Sequence, residues 1–364
     1  MSDVFTSSDV KIAFKEQEIF GIAEADDTDE KEGIATEAAG VNSQISFIDY
    51  LSSRAQRYSH SNNISVNQKG RVYETDKFKI PAIKNQFDCF LYGIFQNVVE
   101  AANGANYQKT FTFPARQPDF TVHQGKYFTA WLQQPVVNVS QKINDSIFSE
   151  FSLLCSPEND GILWIEGFSF LARSHSDLAD PSGTITYQNQ DEYFFYDLTK
   201  AQIDATDLTL GNNGIKFLIR NNAKRLGIDS GKFKTFILPR YEVEVEIQIL
   251  YGSLAQNLMA KAKNGTSVSF EFEWGTANSD GYLNISGNAK ISQAVNIEHN
   301  QDGNYCTITM LCVGEYGVTQ PFQIVMINPT NRHWNYHYMI FKDRADCIWQ
   351  DRTDNIFQDR SIYV

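Results

Sequence analysis

The sequence predicts a mainly β protein that carries two short helices. Gly, Asn, Ser, Thr, Tyr and Phe are plentiful, and long runs rich in Leu and Ala are few, a composition that favours strands. Hydrophobic residues make up 42% and aromatic residues 13% of the 364 positions, so the chain can build real cores. That length is enough for two ordinary domains or for one large β domain with arms.

Residues 240–275 predict a strand, a short helix and a second strand in succession. From Tyr241 to Ile249 apolar and polar residues alternate without error, which is the pattern of a strand with one face in a core. Residues 250–262 have helical spacing, Asn264-Gly265 is a natural stop, and residues 268–274 alternate again. The polar face of the first strand is strongly acidic and consists of Glu242, Glu244, Glu246 and Gln248. Such a face is either a solvated surface that prevents aggregation or a surface with a functional task.

The first half of the chain predicts an arm followed by a domain of the same kind. Residues 1–44 form the arm, whose acidic part at 24–37 has no apolar periodicity. Residues 84–99 carry the apolar stripe of a helix that ends at Asn103-Gly104. Strand-like segments surround this helix at 45–51, 58–67, 72–83, 109–113, 127–132, 136–143, 147–155 and 162–171.

The second half repeats this order of elements. The segment AKISQAVNIE resembles VVNVSQKI, and NYCTITMLCV resembles IFSEFSLLCS, at an offset of about 160 residues. We therefore expect two tandem β domains at 45–176 and 215–330, each with one flanking helix. The segment between them, 177–214, is expected to be a decorated linker.

The C-terminal arm, residues 331–364, contains a short repeat of its own: DRADCIWQ, DRTDNIFQ and DRSIYV. Alternating charged pairs and bulky apolar pairs suit a segment that lies in a groove on another surface. We expect contacts with a neighbouring subunit from Ile348, Trp349, Ile356 and Phe357, and from Arg344, Arg352 and Arg360.

Charge and motifs bear on the kind of function. A net charge of −13 argues against a protein that grips DNA phosphates, because that requires clustered Lys and Arg. The five cysteines are dispersed without CxxC spacing, which indicates core residues or free thiols. No signal peptide, membrane span or catalytic motif is recognisable. We expect no catalytic residue, no cofactor and no metal, and no enzymatic activity.

Several of these features together resemble the major tail protein, or tail tube protein, of long non-contractile-tailed bacteriophages. The resemblance lies in KIPAIKNQFDCFLYGIF, where an extended segment enters an apolar helix, and in QPVVNVSQKINDSIFSEFSLLCS, where a strand pair follows. It covers most of residues 45–175 and 215–330 and implies β-sandwich or barrel domains of the tail-tube type. Two such domains in one chain are similar to the duplicated subset, in which three chains form a pseudo-six-fold ring.

The resemblance implies a structural virion protein that polymerises into stacked rings and forms a channel for DNA ejection. Its partners would be further copies of itself, a tape measure protein inside the tube, and terminator and distal tail proteins at its ends. The acidic face at Glu242, Glu244, Glu246 and Gln248 would line the channel, and no membrane would be involved. One alternative is a distal tail or baseplate hub ring protein. Another is a carbohydrate- or receptor-binding β protein with Trp131 or Trp334 in an exposed groove.

Overall fold

A computed structural model shows the fold of the chain. It describes residues 11–17, 31–34, 45–49, 71–75, 80–113, 126–134, 139–157, 161–178, 185–187, 193–229, 232–238, 241–292, 296–300, 303–314, 322–330, 348–350 and 356–358. This part of the chain is mainly β with two helices, in agreement with the predicted class.

The elements alternate between strands of very different length. The first half contains β1 (Lys11–Glu16), β2 (Lys31–Ile34), β3 (Ile45–Asp49), β4 (Arg71–Thr75), β5 (Ile80–Pro81), α1 (Lys84–Phe95), β6 (Val98–Asn103), β7 (Asn106–Thr112), β8 (Phe128–Gln134), β9 (Val139–Cys155), β10 (Trp164–Ala172) and β11 (Ser174–Leu178). The middle contains β12 (Ile185–Tyr187), β13 (Leu198–Ile203), β14 (Thr206–Asp207), β15 (Leu210–Arg220), β16 (Lys224–Asp229) and β17 (Lys232–Ile237). The remainder contains β18 (Tyr241–Leu250), α2 (Ser253–Asn264), β19 (Ser267–Trp274), β20 (Tyr282–Ile291), β21 (Asn296–Asn300), β22 (Gly303–Gly314), β23 (Phe322–Asn328), β24 (Ile348–Gln350) and β25 (Ile356–Gln358).

Most of these strands belong to one hydrogen-bonded sheet with two broad sections. The first section has the order β10–β9–β15–β18–β22, and the second has the order β13–β19–β20–β23–β7–β6. The end of β20 joins them, because Lys290 and Ile291 pair with Leu311 and Met310 of β22. Every pairing within the two sections is antiparallel.

The two sections pack against each other around one hydrophobic core. Phe217 of the first section contacts two rings of the second, with centroid distances of 5.9 Å to Phe272 and 6.4 Å to Trp274. Strand alternation explains this core, since every second residue of β18, β19 and β22 faces inward and is apolar. Cys155, Cys306 and Cys312 are buried in it as free thiols, as their dispersed spacing predicted.

Helix α1 is buried on almost all sides, unlike an ordinary flanking helix. Its residue Gly93 lies against the ring of Phe148 on β9, so closely that any Cβ atom would overlap the ring. Three aromatic residues of the helix, Phe87, Phe90 and Phe95, are no more than 1% exposed. The helix ends earlier than the predicted residue 99 because Gln96 adopts a left-handed conformation with φ 58°.

Helix α2 covers the core with one face and starts three residues later than predicted. Leu250 belongs to β18 instead, where it lies opposite Tyr305 and donates its N–H to the carbonyl of Thr209. The helix buries Ala255 and Leu258, and its end at Gly265 (φ 64°) matches the predicted stop.

The predicted tandem arrangement is not confirmed, because strands of the two predicted domains pair with one another. Strand β9 pairs with β15 across the boundary, and β7 pairs with β23. The segment 177–214, expected to be a linker, contains β12, β13 and β14 and the start of β15. The prediction missed β13 because it is short and mostly polar, and it gains its place by pairing with β19.

A buried ionic cluster connects the same two halves. The ammonium group of Lys109 pairs with the carboxylate of Asp88 and donates a hydrogen bond of 2.8 Å to the side chain of Asn328. Glu100 lies 3.8 Å from the same ammonium group. Asn328 in turn donates to the carbonyl of Lys84 at 2.9 Å, so α1, β7 and β23 meet at one point.

Strand β1 of the predicted N-terminal arm is part of the fold. It pairs with β8 and β2, and Phe14 contacts the rings of Phe90, Phe128 and Phe148 in the main core. The remaining acidic part of the arm lies outside the described residues except for β2, which pairs in parallel with β12.

Candidate functional site

The strand β18 shows the alternation that the sequence predicts. Its apolar residues from Tyr241 to Ile249 are buried in the core, and Glu242 and Glu244 are half-buried on the opposite face. Glu246 is exposed. The three carboxylates therefore lie in a line on the outward face of the first section, near its centre.

Neighbouring strands place other residue types beside these carboxylates. The rows of opposed residues from β15 across β18 to β22 are Arg220–Glu242–Val313, Leu218–Glu244–Leu311 and Lys216–Glu246–Thr309. The guanidinium group of Arg220 lies 3.2 Å from Glu150 of β9 and 3.7 Å from Glu244. The face is consequently striped: the acidic line of β18 is bordered by the two basic residues of β15.

These ion pairs change the charge of the face more than the stability of the fold. The side chains of Arg220 and Glu244 are 36% and 38% exposed, and pairs of that kind contribute about 0–1 kcal/mol. Each basic residue nevertheless cancels one carboxylate in the local field. Sequence reasoning could not see this, since β15 carries no periodic basic pattern.

Gln248 does not belong to the exposed face. It is 6% exposed, and its side-chain oxygen accepts a hydrogen bond of 3.2 Å from the backbone N–H of Asn213. An irregularity in β15, between the pairs Leu210–Ile249 and Ile215–Ile247, brings this backbone over the glutamine. A Cβ atom at Gly211 would overlap the amide of Gln248, so this close approach requires glycine.

A second polar cluster lies on the outward face of the second section. The ammonium group of Lys200 on β13 lies 2.6 Å from Glu271 and 3.5 Å from Glu273, both on β19. Asn284 of β20 donates hydrogen bonds of 3.0 Å and 3.2 Å to the same two carboxylates. The hydrogen bond to Glu271 raises the pKa of Lys200, and the hydrogen bond from Lys200 lowers the pKa of Glu271.

Beside this cluster is an open pocket of about 480 Å³ lined mainly by hydroxyl, amide and carboxylate groups. Asp204 at its rim pairs with Lys261 at 2.5 Å and accepts a hydrogen bond of 2.9 Å from the N–H of Ser269. Partial desolvation raises the pKa of Asp204, but the hydrogen bonds from Lys261 and Ser269 outweigh it and the pKa is lowered. Both Asp204 and Glu271 are therefore held ionised at neutral pH, which suits binding of polar groups better than general acid catalysis.

The other predicted site residues lie in or near the C-terminal arm. Ile348 and Trp349 are on β24, and Ile356 and Phe357 are on β25; the two strands form an antiparallel pair with Trp349 opposite Phe357. Arg344, Arg352 and Arg360 lie outside the described residues.

Trp131 does not line an exposed groove. It is completely buried, with the ammonium group of Lys142 5.4 Å from its ring centroid. Trp334, the other tryptophan considered for a binding groove, lies outside the described residues.

The comparisons with known proteins leave the family of the chain open. The sequence matches no model of a known protein family and no curated protein sequence. Within the described ranges, no group of three or more His, Cys, Asp and Glu residues could hold a metal ion. None of the helices found there is long and apolar enough to cross a membrane.

Proposed function

We propose that the chain is a structural virion protein that polymerises into stacked rings and forms the channel of a phage tail tube. The observation that carries this proposal is the acidic line of Glu242, Glu244 and Glu246 on the outward face of a broad sheet whose other face is buried. Such a surface is rigid, flat and negatively charged, and it can be repeated around a ring.

Electrostatics explain why an acidic wall suits a DNA channel. Duplex DNA carries about one negative charge per 1.7 Å of its axis, so a basic wall binds it by counterion release. An acidic wall repels DNA and lets it pass without adhesion. Arg220 and Lys216 reduce this charge without reversing it, because the face also carries Glu150 of β9.

The finer architecture of the proposal rests on a recurrence of elements. A strand leads into a helix and then into an antiparallel strand pair twice: β5, α1, β6 and β7 in the first half, and β18, α2, β19 and β20 in the second. Two related units per chain support rings of three chains with pseudo-six-fold symmetry. Tape measure, terminator and distal tail proteins would then be its partners in the virion, after assembly in the host cytoplasm.

Negative-stain electron microscopy of the purified protein tests this function. We expect filaments with a central channel and three chains per ring. Isolated single rings would favour the alternative of a distal tail or baseplate hub protein. Six copies of the whole chain per ring would contradict the duplicated architecture, and a protein that stays monomeric at all concentrations would contradict the function itself.

A further inference from the structure

The second section of the sheet has an edge strand, β6, that invites pairing with another strand. β6 pairs with β7 on one side, and no strand in the described ranges pairs with it on the other. Val99 is 60% exposed, and Ala101 and Ala102 are exposed as well. Its single charged residue, Glu100, is directed towards Lys109, so the edge lacks the exposed charges with which proteins usually protect such strands.

The opposite edge of the same section is β13. The short strand β14 pairs with Gln202 and Ile203, and Leu208 donates its N–H to the carbonyl of Ala201. On that side of residues 198–200 the described part of the chain places no strand. A bulge at Thr199 limits this edge to a short stretch, which suits a few backbone hydrogen bonds.

The directions of the two edges are compatible with head-to-tail association. The section contains six strands that alternate in direction, so β6 and β13 run antiparallel to each other. When two copies are related by a rotation that preserves strand direction, β6 of one copy meets β13 of the next in antiparallel orientation. The junction would therefore continue the antiparallel pattern, and both edges have six residues.

We propose that β6 pairs with the β13 edge of a second copy of this chain, which joins neighbouring subunits by backbone hydrogen bonds. The inference deepens the proposed function and rests on it, because ring formation supplies the second copy. A heterologous contact of this kind uses two different surfaces per copy, and it closes into a ring when the rotation allows.

Hydrogen exchange in assembled and dilute protein tests the pairing. In a hairpin closed by Asn103 and Asn106, Ala102 is a non-hydrogen-bonded position, so its N–H points to the free edge. We expect the amides of residues 98–103 and 198–200 to exchange at least about tenfold more slowly in the assembled protein, as new backbone hydrogen bonds require. Helix α2, outside the proposed contact, is the internal control and should exchange equally in both states.

A proline substitution provides the matched variant. Ala102→Pro removes the outward N–H and keeps the bonds between β6 and β7, whereas Ala102→Thr keeps the N–H and favours a strand. We expect Ala102→Pro to remain folded by circular dichroism and to lose assembly, while Ala102→Thr assembles normally. If Ala102→Pro fails to fold, the exchange comparison on the unmodified chain still decides the matter.

The outcomes separate the pairing from the proposed function. Rings or filaments in which residues 98–103 exchange as fast as in the monomer would overturn the pairing and leave the function standing. Normal assembly of a folded Ala102→Pro variant would overturn it as well. Absence of any assembly by the unmodified chain would overturn both proposals.

Discussion

The ammonium group of Lys109 on β7 pairs with the carboxylate of Asp88 on α1, and neither side chain is exposed to solvent. Asn328, which lies 219 residues from Lys109 in the chain, completes the cluster. Charges taken out of water in this way are tolerated because they pair and form further hydrogen bonds. The cluster thus couples the folding of the first half of the chain to that of the second.

Removing one partner of this pair should be costly. We expect Lys109→Met to lower the free energy of unfolding by about 3–5 kcal/mol, because the carboxylate of Asp88 is left buried without its cation. Chemical denaturation followed by circular dichroism measures the change. The control Lys263→Met, at an exposed position near the end of α2, should stay within about 0.5 kcal/mol of the wild type. Equal stability of the two variants would contradict a structural role for the pair.

Reversing the charge of the acidic line should change how the assembled protein treats DNA. We expect the triple substitution of Glu242, Glu244 and Glu246 by lysine to leave the fold intact, since outward substitutions usually cost within about 0.5 kcal/mol each. The assembled variant should retain duplex DNA at low salt and release it at high salt. Tubes that are mixed with labelled DNA and then sedimented provide the measurement.

A glutamine series is the matched control for that experiment. Substitution of the same three residues by glutamine removes the negative charges without adding positive ones, so weak or no retention of DNA is expected. Retention by the wild-type protein itself, or equal behaviour of lysine and glutamine variants, would show that this face does not line the channel.

The pair of Lys200 and Glu271 should contribute to stability between two pH limits. The pKa of Glu271 is lowered from its usual 4.5, so its contribution is complete above that value and is lost as pH falls through the lower folded pKa. The pKa of Lys200 is raised from its usual 10.5, so its contribution is complete below that value and is lost as pH rises through the higher folded pKa.

A Lys200→Met variant tests these limits. We expect it to be less stable than the wild type by at most about 1 kcal/mol between the two limits, since both side chains are about a third exposed and screened by solvent. The difference should shrink in acid as Glu271 becomes protonated. Urea denaturation across this pH range measures it, with the exposed Lys290→Met on β20 as the control. A difference that persists unchanged in acid would exclude the ion pair as its cause.

Deleting the C-terminal hairpin should affect assembly and leave the folded core intact. β24 and β25 pair with each other, and no described strand of the core pairs with either of them. We expect a chain without residues 344–364 to give a folded monomer that no longer forms tubes, because Trp349 and Phe357 would lose burial against a neighbour worth about 1.5–3 kcal/mol each. Sedimentation velocity and electron microscopy give the result. Normal tubes from the shortened chain would assign these residues no role between subunits.

The local features of the fold could be predicted from sequence because their signals are periodic. The alternation from Tyr241 to Ile249 predicted both the strand and its buried side, and the apolar stripe that begins near residue 84 predicted α1. Asn264-Gly265 marked the end of α2, since the left-handed conformation at that position favours glycine.

Tertiary structure alone decided which residues meet on each face. Lys200 and Glu271 are 71 residues apart, and the strand register of β13 and β19 brings them together. Gln248 follows the same alternation as Glu246, yet the irregular backbone of β15 covers it. The physical reason is that alternation fixes only the side of a strand on which a residue lies, whereas its neighbours depend on long-range pairing. The sequence therefore determined the acidic line on β18, and the pairing with β15 determined that basic residues border it.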